Sequence, residues 1–451
     1  MAEVQKMSLT TKVLIGMGLG ISMGLIFNLL GLNSEGSFIN TYVVNGLFLT
    51  IGKMFVAGLK MLVVPLVFFS LVTGVIGIGD IRSLGKVGGK SFALYMLTTA
   101  VAIAVGISIA ATIGIGEGVN MTSIASFSAK EAPVLSAVLI DIVPENIVNA
   151  MALGKMLQII FFSILVGISL LMVGKKAEPV VKLLEIGNEI MMKMVNIVMA
   201  VAPYAVFALL GKAISDLGLS LLIDLAGYVG VLIGVLLLHL FVTLMLILKV
   251  FSGVSPLVFL KKMREVQIFA FSTSSSNATI PVTLRTVIDK LGVKNSVASF
   301  SVPFGATINM DGTAIMQGVA TVFIANAYGV DLGITGYLTV ILMSVLASVG
   351  TAGVPGVGLI MLSMVFSQVG LPIEGIGLVL GVDRILDMLR TAVNVSGDAV
   401  VSVVVAKSEG ALDIDVYNNP KAGVAEEDDI NIDKTAERAL ADVVTATHNQ
   451  A

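Results

Sequence analysis

Long apolar runs separated by short polar stretches dominate this chain. Residues 13–32, 42–78, 91–115, 135–173, 183–210 and 221–248 can each cross a hydrocarbon core of about 30 Å at about 1.5 Å per helical residue. The run 135–173 exceeds one simple helix and is broken near Pro144-Glu145-Asn146. The connecting stretches alternate in charge. Lys and Arg collect in the N-terminal segment, in 80–90 (Arg82, Lys86, Lys90), in 174–182 (Lys175, Lys176, Lys182) and in 249–264 (Lys249, Lys261, Lys262, Arg264). The stretches 33–40, 116–131 and 211–220 carry at most one cation each. The positive-inside rule therefore puts the first set and both termini in the cytoplasm and the second set outside.

The second half has a different rhythm. Residues 256–290 are apolar but interrupted by Ser272-Thr-Ser-Ser-Ser-Asn277, and each flank is too short to span. This predicts a re-entrant helical hairpin with Pro281 in the first turn of its second arm, where a missing N–H is harmless. Residues 296–328 form a full span interrupted by Asn309-Met-Asp-Gly-Thr313. Residues 336–371 repeat the hairpin, with Ser348-Val-Gly-Thr-Ala-Gly-Val-Pro-Gly356 at the tip and Pro355 opening the second arm. Close packing of small residues would explain one such cluster. Two clusters at matching places point to an inverted repeat whose broken helices meet near the midplane.

The last span, 373–406, carries Asp383, Arg384, Asp387, Arg390 and Asp398. Charge in hydrocarbon is costly, so such residues normally face a polar pathway or site. At about 100° per residue, Asp383, Asp387, Arg390, Asn394 and Asp398 fall within about 80° of one another on a helix.

Composition fixes the class. Of 451 residues, 56% are hydrophobic and 13% charged, with mean hydropathy +1.01. A soluble chain is nearer one quarter charged. The expected fold class is therefore an all-α polytopic membrane protein. The chain has no cysteine, which excludes disulfides, thiolate nucleophiles and Cys metal sites. It has no tryptophan, leaving Tyr and Phe for any interfacial belt. The first apolar run lacks a small-residue cleavage site and is expected to stay as the first helix. Residues 411–451, including Glu426-Glu-Asp-Asp429, read as an acidic cytoplasmic tail.

Enzyme signals are weak. The only histidines are His239 and His448, and there is no HExxH or GxSxG. Leu84-Gly-Lys-Val-Gly-Gly-Lys-Ser91 lacks the first glycine of a phosphate-binding loop. His239 is expected to be a packed intramembrane polar residue. Nothing points to nucleic acid.

The polar residues suit binding rather than catalysis. Helix N-termini at the hairpin tips favour a carboxylate, and Thr273 to Asn277 add hydroxyl and amide donors. Arg390 offers a planar fork to a second carboxylate, and Asp387 could accept an ammonium. Together they describe a site for a small zwitterion with an anionic side chain. Asn309, Asp311, Asn394 and Asp398, with unwound carbonyls near 305–310 and 348–351, supply hard oxygens for a small alkali cation.

Ser274-Ser-Ser-Asn-Ala-Thr-Ile-Pro281, Asn309-Met-Asp-Gly-Thr313, Gly353-Val-Pro-Gly356 and the stretch 387–398, in this order, resemble the dicarboxylate/amino acid:cation symporters. That family includes archaeal aspartate transporters and animal excitatory amino acid transporters, and the likeness covers about residues 7–410. It implies eight transmembrane helices plus two re-entrant hairpins, inverted repeats, a homotrimer, and an elevator-type transporter in the cytoplasmic (inner) membrane. The implied scaffold is 1–90 (helices 1 and 2) and 134–220 (helices 4 and 5). The implied transport domain is 91–133 (helix 3) and 221–410, with 411–451 as the tail.

The resemblance also implies roles. Arg390 would bind the side-chain carboxylate and Asp387 the amino group. Thr313, Thr391, Asn394, Ser275, Ser276 and the tip Gly353, Val354, Pro355 and Gly356 would add substrate contacts. One Na⁺ site would use Gly305, Asn309, Asn394 and Asp398. A second would use Thr307, Met310, Ser348 and Thr351, and a third Tyr95, Thr98, Thr99, Asn309 and Asp311. Ser274 and Met388 stand where relatives carry an arginine, and Arg384 lies one turn before Met388. Gln317 replaces the glutamate of potassium-antiporting members. Asp387 is absent from relatives specific for plain C4-dicarboxylates, so its presence favours aspartate or glutamate. The expected function is Na⁺-driven import of acidic amino acids, with proton-coupled glutamate or C4-dicarboxylate symport as the alternative.

Overall fold

The structure is a computed structural model and describes residues 9–76, 81–119, 142–349, 353 and 355–423. It is built of helices; among the described residues there is no strand, only an isolated bridge between Val293 and Leu412. Helix α1 (Leu9–Leu29) is followed by a π-helical segment (Ile39–Phe48) leading into α2 (Leu49–Ile76) and then by α3 (Ile81–Ile113). After the break at Pro144 come α4 (Ile147–Leu153), capped by the Asn146 side chain, and α5 (Met156–Val173). Next are α6 (Glu178–Ala200), α7 (Ala202–Leu217) and α8 (Leu219–Leu238). A π segment (His239–Thr243) joins α8 to α9 (Leu244–Ser252).

The interrupted elements follow. Helices α10 (Pro256–Thr273) and α11 (Ser276–Arg285) form the first helical hairpin. Helices α12 (Asn295–Ile308) and α13 (Asp311–Ala327) are one span broken at Asn309 and Met310. Helices α14 (Gly333–Ser348) and α15 (Val357–Gln368) form the second hairpin, and α16 (Ile376–Ser408) is the striped helix. Among the described residues six helical stretches are long and apolar enough to cross a membrane, the first Thr11–Leu29 and the last Ile373–Ser408. The arms Gly333–Ser348 and Val357–Gln368 are apolar but shorter.

Two expectations change. Helix α3 starts at Ile81, so its first turns run through the cationic stretch ahead of the apolar run. Hydropathy marks where the apolar run begins, not where a helix begins, and a stretch holding Gly85, Gly88 and Gly89 gives no propensity signal for the earlier start. Pro281 lies inside α11 rather than in its first turn, because the Ser275 hydroxyl caps the helix from one residue before Ser276.

The helices pack in two sets. In the first, α1 packs on α7, and α2 packs on α5, α6 and α7. In the second, α16 is surrounded by α3 and α8 to α13. Helices α7 and α1 also touch α16, and α2 touches α15, joining the sets. The α1–α7 contact is a small-residue interface: Gly16, Gly20 and Gly24 recur every fourth residue. A Cβ at Gly16 would sit 2.3 Å from Pro203 O, and one at Gly20 would sit 2.6 Å from Phe207 O. Glycine therefore lets these backbones approach, which is how apolar helices associate in lipid.

Beyond α16, a short helix α17 (Ile414–Asn418) folds back on the first hairpin. Lys262 Nζ donates to Lys290 O, Val416 O and Tyr417 O at 2.6, 2.8 and 2.7 Å, and Tyr417 donates to Ser255 O at 2.9 Å. Burial pushes the Tyr417 phenol above its usual range.

Gly20→Val is expected to destabilise the protein by about 1–3 kcal/mol through overpacking. Gly18→Val, with nothing within 4 Å of its new Cβ, is expected to be neutral. Thermal unfolding of both variants in detergent checks this; equal midpoints would contradict it.

Candidate functional site

The polar stripe of α16 points into the protein. Asp383, Asp387, Arg390, Asn394 and Asp398 are all buried, and Arg390 is 0% exposed. Two carboxylates hold the guanidinium: Arg390 Nη1 donates to Asp383 Oδ1 at 2.6 Å and Nη2 to Asp387 Oδ1 at 2.8 Å. Both carboxylates are on the same helix, seven and three residues before Arg390, so the pattern of a single element builds the cluster. Arg384 Nη1 lies 3.7 Å from Asp387 Oδ2. Two atoms stay unserved by hydrogen bonds, the donor Arg390 Nε and the acceptor Asp387 Oδ2. Buried polar atoms are normally satisfied, so this donor and this acceptor each have capacity for a further polar partner.

The surrounding residues close on this cluster from other elements. Thr391 is buried in the same helix and donates to Asp387 O at 2.8 Å, which engages its hydroxyl. Thr313 is buried in the first turn of α13. The neighbouring Gly312 N–H donates to Asn394 Oδ1 at 2.7 Å, locking the start of α13 onto α16.

The two hairpin tips meet each other. Ser275 Oγ caps α11 by accepting from Ala278 N at 3.2 Å and donates to Gly353 O at 2.7 Å. Asn277 N donates to the same carbonyl at 3.2 Å. Ser276 is buried beside them. Ser274 takes a left-handed φ of 51°, alone among the described non-glycine residues, so the tip turns through it. Pro355 and Gly356 lie just before α15, with Gly356 against Met199 of α6. Val354 and Thr351 fall outside the described residues.

A second group of polar atoms lies one to two turns along α16. Asn309 Nδ2 donates to Asp398 Oδ1 at 2.9 Å and to Asn394 O at 3.2 Å. Gly305 has no room for a side chain: a Cβ there would stand 2.5 Å from Asp398 Oδ1 and 2.7 Å from Tyr95 Oη. Tyr95 donates to Ser301 O at 2.8 Å. Asp311 Oδ1 accepts from Thr99 at 2.7 Å and from Thr98 at 3.3 Å. Thr98 Oγ1 is also 3.1 Å from Tyr95 O and 3.4 Å from Asn309 Oδ1. One hydroxyl proton cannot serve three acceptors, so these oxygens crowd together with lone pairs to spare.

The structure thus gathers Gly305, Asn309, Asn394 and Asp398, and also Tyr95, Thr98, Thr99, Asn309 and Asp311. It does not gather the remaining set in the same way. Met310 Sδ accepts from Asn394 Nδ2 at 3.4 Å, while Thr307 and Ser348 each spend their hydroxyl on their own helix, on Phe304 O and Val345 O. Among the described residues no three His, Asp or Glu side chains cluster as for a multivalent metal. The oxygens come from hydroxyls, amides and carboxylates, donors that suit a hard cation.

Two residues gain importance over the sequence reading. Asp383 is the shorter partner of Arg390, and its place on the stripe, one turn before Asp387, is the signal for it. His239 is packed and buried as expected, but its Nε2 lies 3.1 Å from Asp311 Oδ2. No local pattern announces a contact across 72 positions.

Comparison with known proteins identifies the family. A family model described as "Sodium:dicarboxylate symporter family" matches residues 9–408. The chain belongs to the sodium:dicarboxylate symporter family. It is 36% identical over 427 residues to the proton/sodium-glutamate symport protein of Bacillus caldotenax, covering 93% of this chain and 97% of that one. It is 36% identical over 423 residues to the proton/glutamate-aspartate symporter of Escherichia coli (strain K12), covering 90% and 94%. It is 35% identical over 375 residues to the C4-dicarboxylate transport protein of Rhodospirillum rubrum, covering 81% and 83%. As a sodium:dicarboxylate symporter family member the chain is a multi-pass membrane transporter, not an enzyme.

Asp383→Ala leaves the buried Arg390 with one close carboxylate in place of two. The variant is expected to lose about 3 kcal/mol of stability. A thermal midpoint equal to that of the parent protein would contradict the pairing.

Proposed function

We propose that this transporter imports acidic amino acids, aspartate or glutamate, by Na⁺-coupled symport. The observation that carries the reading is the adjacent pair of unserved buried atoms, Arg390 Nε and Asp387 Oδ2. A side-chain carboxylate suits the free donor of the guanidinium fork, and an α-ammonium suits the free carboxylate oxygen. The α-carboxylate suits the first turn of α11, where N–H groups and the Ser276 hydroxyl collect. A plain C4-dicarboxylate has no ammonium and would put a second anion near Asp387.

Charge supports coupling. Four buried carboxylates, Asp311, Asp383, Asp387 and Asp398, share the region with two guanidiniums, Arg384 and Arg390. With all four ionised, four minus two leaves two negative charges that lack a fixed cation, and an acidic solute adds one more. Such charge in a low-dielectric interior requires compensation. The oxygens around Asp311 and Asp398 suit Na⁺ as transported cargo. Asn309 and Asn394 would serve one cage and Tyr95, Thr98 and Thr99 the other; among the described residues Thr307, Met310 and Ser348 do not converge into a third. A proton could offset the same carboxylates. Relatives named for proton coupling and for C4-dicarboxylates make proton-coupled glutamate or C4-dicarboxylate symport the second reading.

The mechanism we infer is elevator-like. The helices α1, α2 and α4 to α7 act as a scaffold, and α3 with α8 to α16 carries solute and cations. The two packing sets support this division. Residues such as Leu19, Met54, Ile190 and Ile197 leave large apolar surface on the scaffold, suited to lipid and to neighbouring copies in a homotrimer. We place the protein in the cytoplasmic membrane with both termini inside, on the alternation of cationic loops.

Purified protein in vesicles should accumulate labelled aspartate when Na⁺ is high outside, and excess glutamate should compete better than excess succinate. Equal accumulation with only a proton gradient, in the absence of Na⁺, would sink the sodium reading. Equal competition by succinate would remove the role of Asp387.

A further inference from the structure

His239 is a buried titratable residue to which the transport chemistry above gives no task. It stands in the π segment between α8 and α9 and is 1% exposed. π segments inside α-helices recur at functional sites, because the extra residue re-aims side chains. Here the ring is aimed at a single group: Nε2 is 3.1 Å from Asp311 Oδ2, and Nδ1 is buried with no hydrogen-bond partner. A carboxylate accepts, so the ring donates through Nε2.

That bond completes the fixing of Asp311. Oδ2 is held by His239, and Oδ1 accepts from Thr99 and Thr98. The Thr98 hydroxyl also lies 3.4 Å from Asn309 Oδ1, and Asn309 Nδ2 donates to Asp398. His239 is therefore the outer end of a run of polar contacts that starts in the α8–α9 helix, crosses α13 and α3, and ends on α16. Among the described residues no lysine or arginine pairs with Asp311. Hydrogen bonds alone orient this buried carboxylate.

We infer that His239 is a positioning residue of the cation cage. By holding Asp311 Oδ2 it keeps Oδ1 turned toward the oxygens of Thr98, Thr99 and Asn309, and so sets the affinity of that cage for the coupled alkali cation. It acts through Asp311 and does not touch the cation. Removing it frees the carboxylate to rotate, so the cage loses its preset geometry while Arg390 and Asp387, on α16, keep theirs. This role rests on the Na⁺-coupled reading proposed above.

The test is calorimetric titration of aspartate into purified protein at a series of NaCl concentrations, with choline chloride holding ionic strength. His239→Leu removes the donor at similar volume, and His239→Gln keeps a donor N–H. The leucine variant is expected to need about tenfold more Na⁺ for half-maximal aspartate affinity, as for loss of a hydrogen bond to a charged group. At saturating Na⁺ its aspartate Kd is expected to stay within about twofold of the parent value, and the glutamine variant to recover most of the Na⁺ sensitivity. A His239→Asn variant, whose amide falls short of Asp311, replaces the leucine variant if that one does not elute as the parent oligomer. An unchanged Na⁺ requirement in the donor-free variant overturns the role. So does an equal loss in the glutamine and donor-free variants, or a loss of aspartate affinity that persists at saturating Na⁺; each is what mere packing predicts. Parent protein whose aspartate affinity ignores Na⁺ brings down the sodium reading as well. Failure of the variants alone, with parent Na⁺ dependence intact, brings down only His239.

Discussion

A guanidinium buried inside a membrane protein is the constraint on which the rest of this structure depends. Arg390 is fully buried, and its cost is offset only because Asp383 and Asp387 face it from the same helix. That places two anions around one cation, and the surroundings follow from it. Arg384 approaches the second oxygen of Asp387, and Gly312, the second residue of α13, lies close enough to the Arg390 backbone for its N–H to reach Asn394. The hairpin tips supply donors rather than further carboxylates. The cluster holds the helix in place and leaves one donor and one acceptor for a solute.

The proposed solute region and the proposed cation cages share parts, which is the physical basis we give for coupling. Asn394 accepts from Gly312 with its side chain and from Asn309 with its backbone, and Asn309 reaches Asp398. A cation drawn to Asp398 or Asp311 therefore tightens groups that also border the solute. The reverse also holds, since any change in one ligand's affinity is matched in the other's. Charge adds to geometry: each cargo offsets a charge that the other leaves uncompensated.

Much of this was legible in the chain. Charges at helical spacing inside an apolar run announce the α16 stripe, because lipid tolerates them only when they face inward. Serine, glycine and proline clusters in the middle of apolar runs announce the broken helices, because only buried backbone can leave the helix at that depth. Local patterning says less about ends and long-range contacts. Helix α3 begins before its apolar run, at a start that neither hydropathy nor the glycine-containing stretch 81–90 marks. Glycines at positions 16, 20 and 24 meet α7, and the docking of α17 onto Lys262 joins residues far apart in sequence. Asp383 stands on the stripe, yet only the 2.6 Å bond identifies it as a partner of Arg390. His239 looks like an ordinary packed residue until Asp311 is found beside it.

The central claim is that solute and Na⁺ are bound as one compensated set, and equilibrium linkage tests it most directly. Aspartate affinity is measured in detergent over a wide range of NaCl, and Na⁺ affinity is then measured with and without saturating aspartate. The account predicts that the aspartate Kd falls at least about tenfold for each tenfold rise in Na⁺ below saturation, and that aspartate tightens Na⁺ by the same overall factor. An aspartate Kd that is the same in sodium and choline chloride would contradict it.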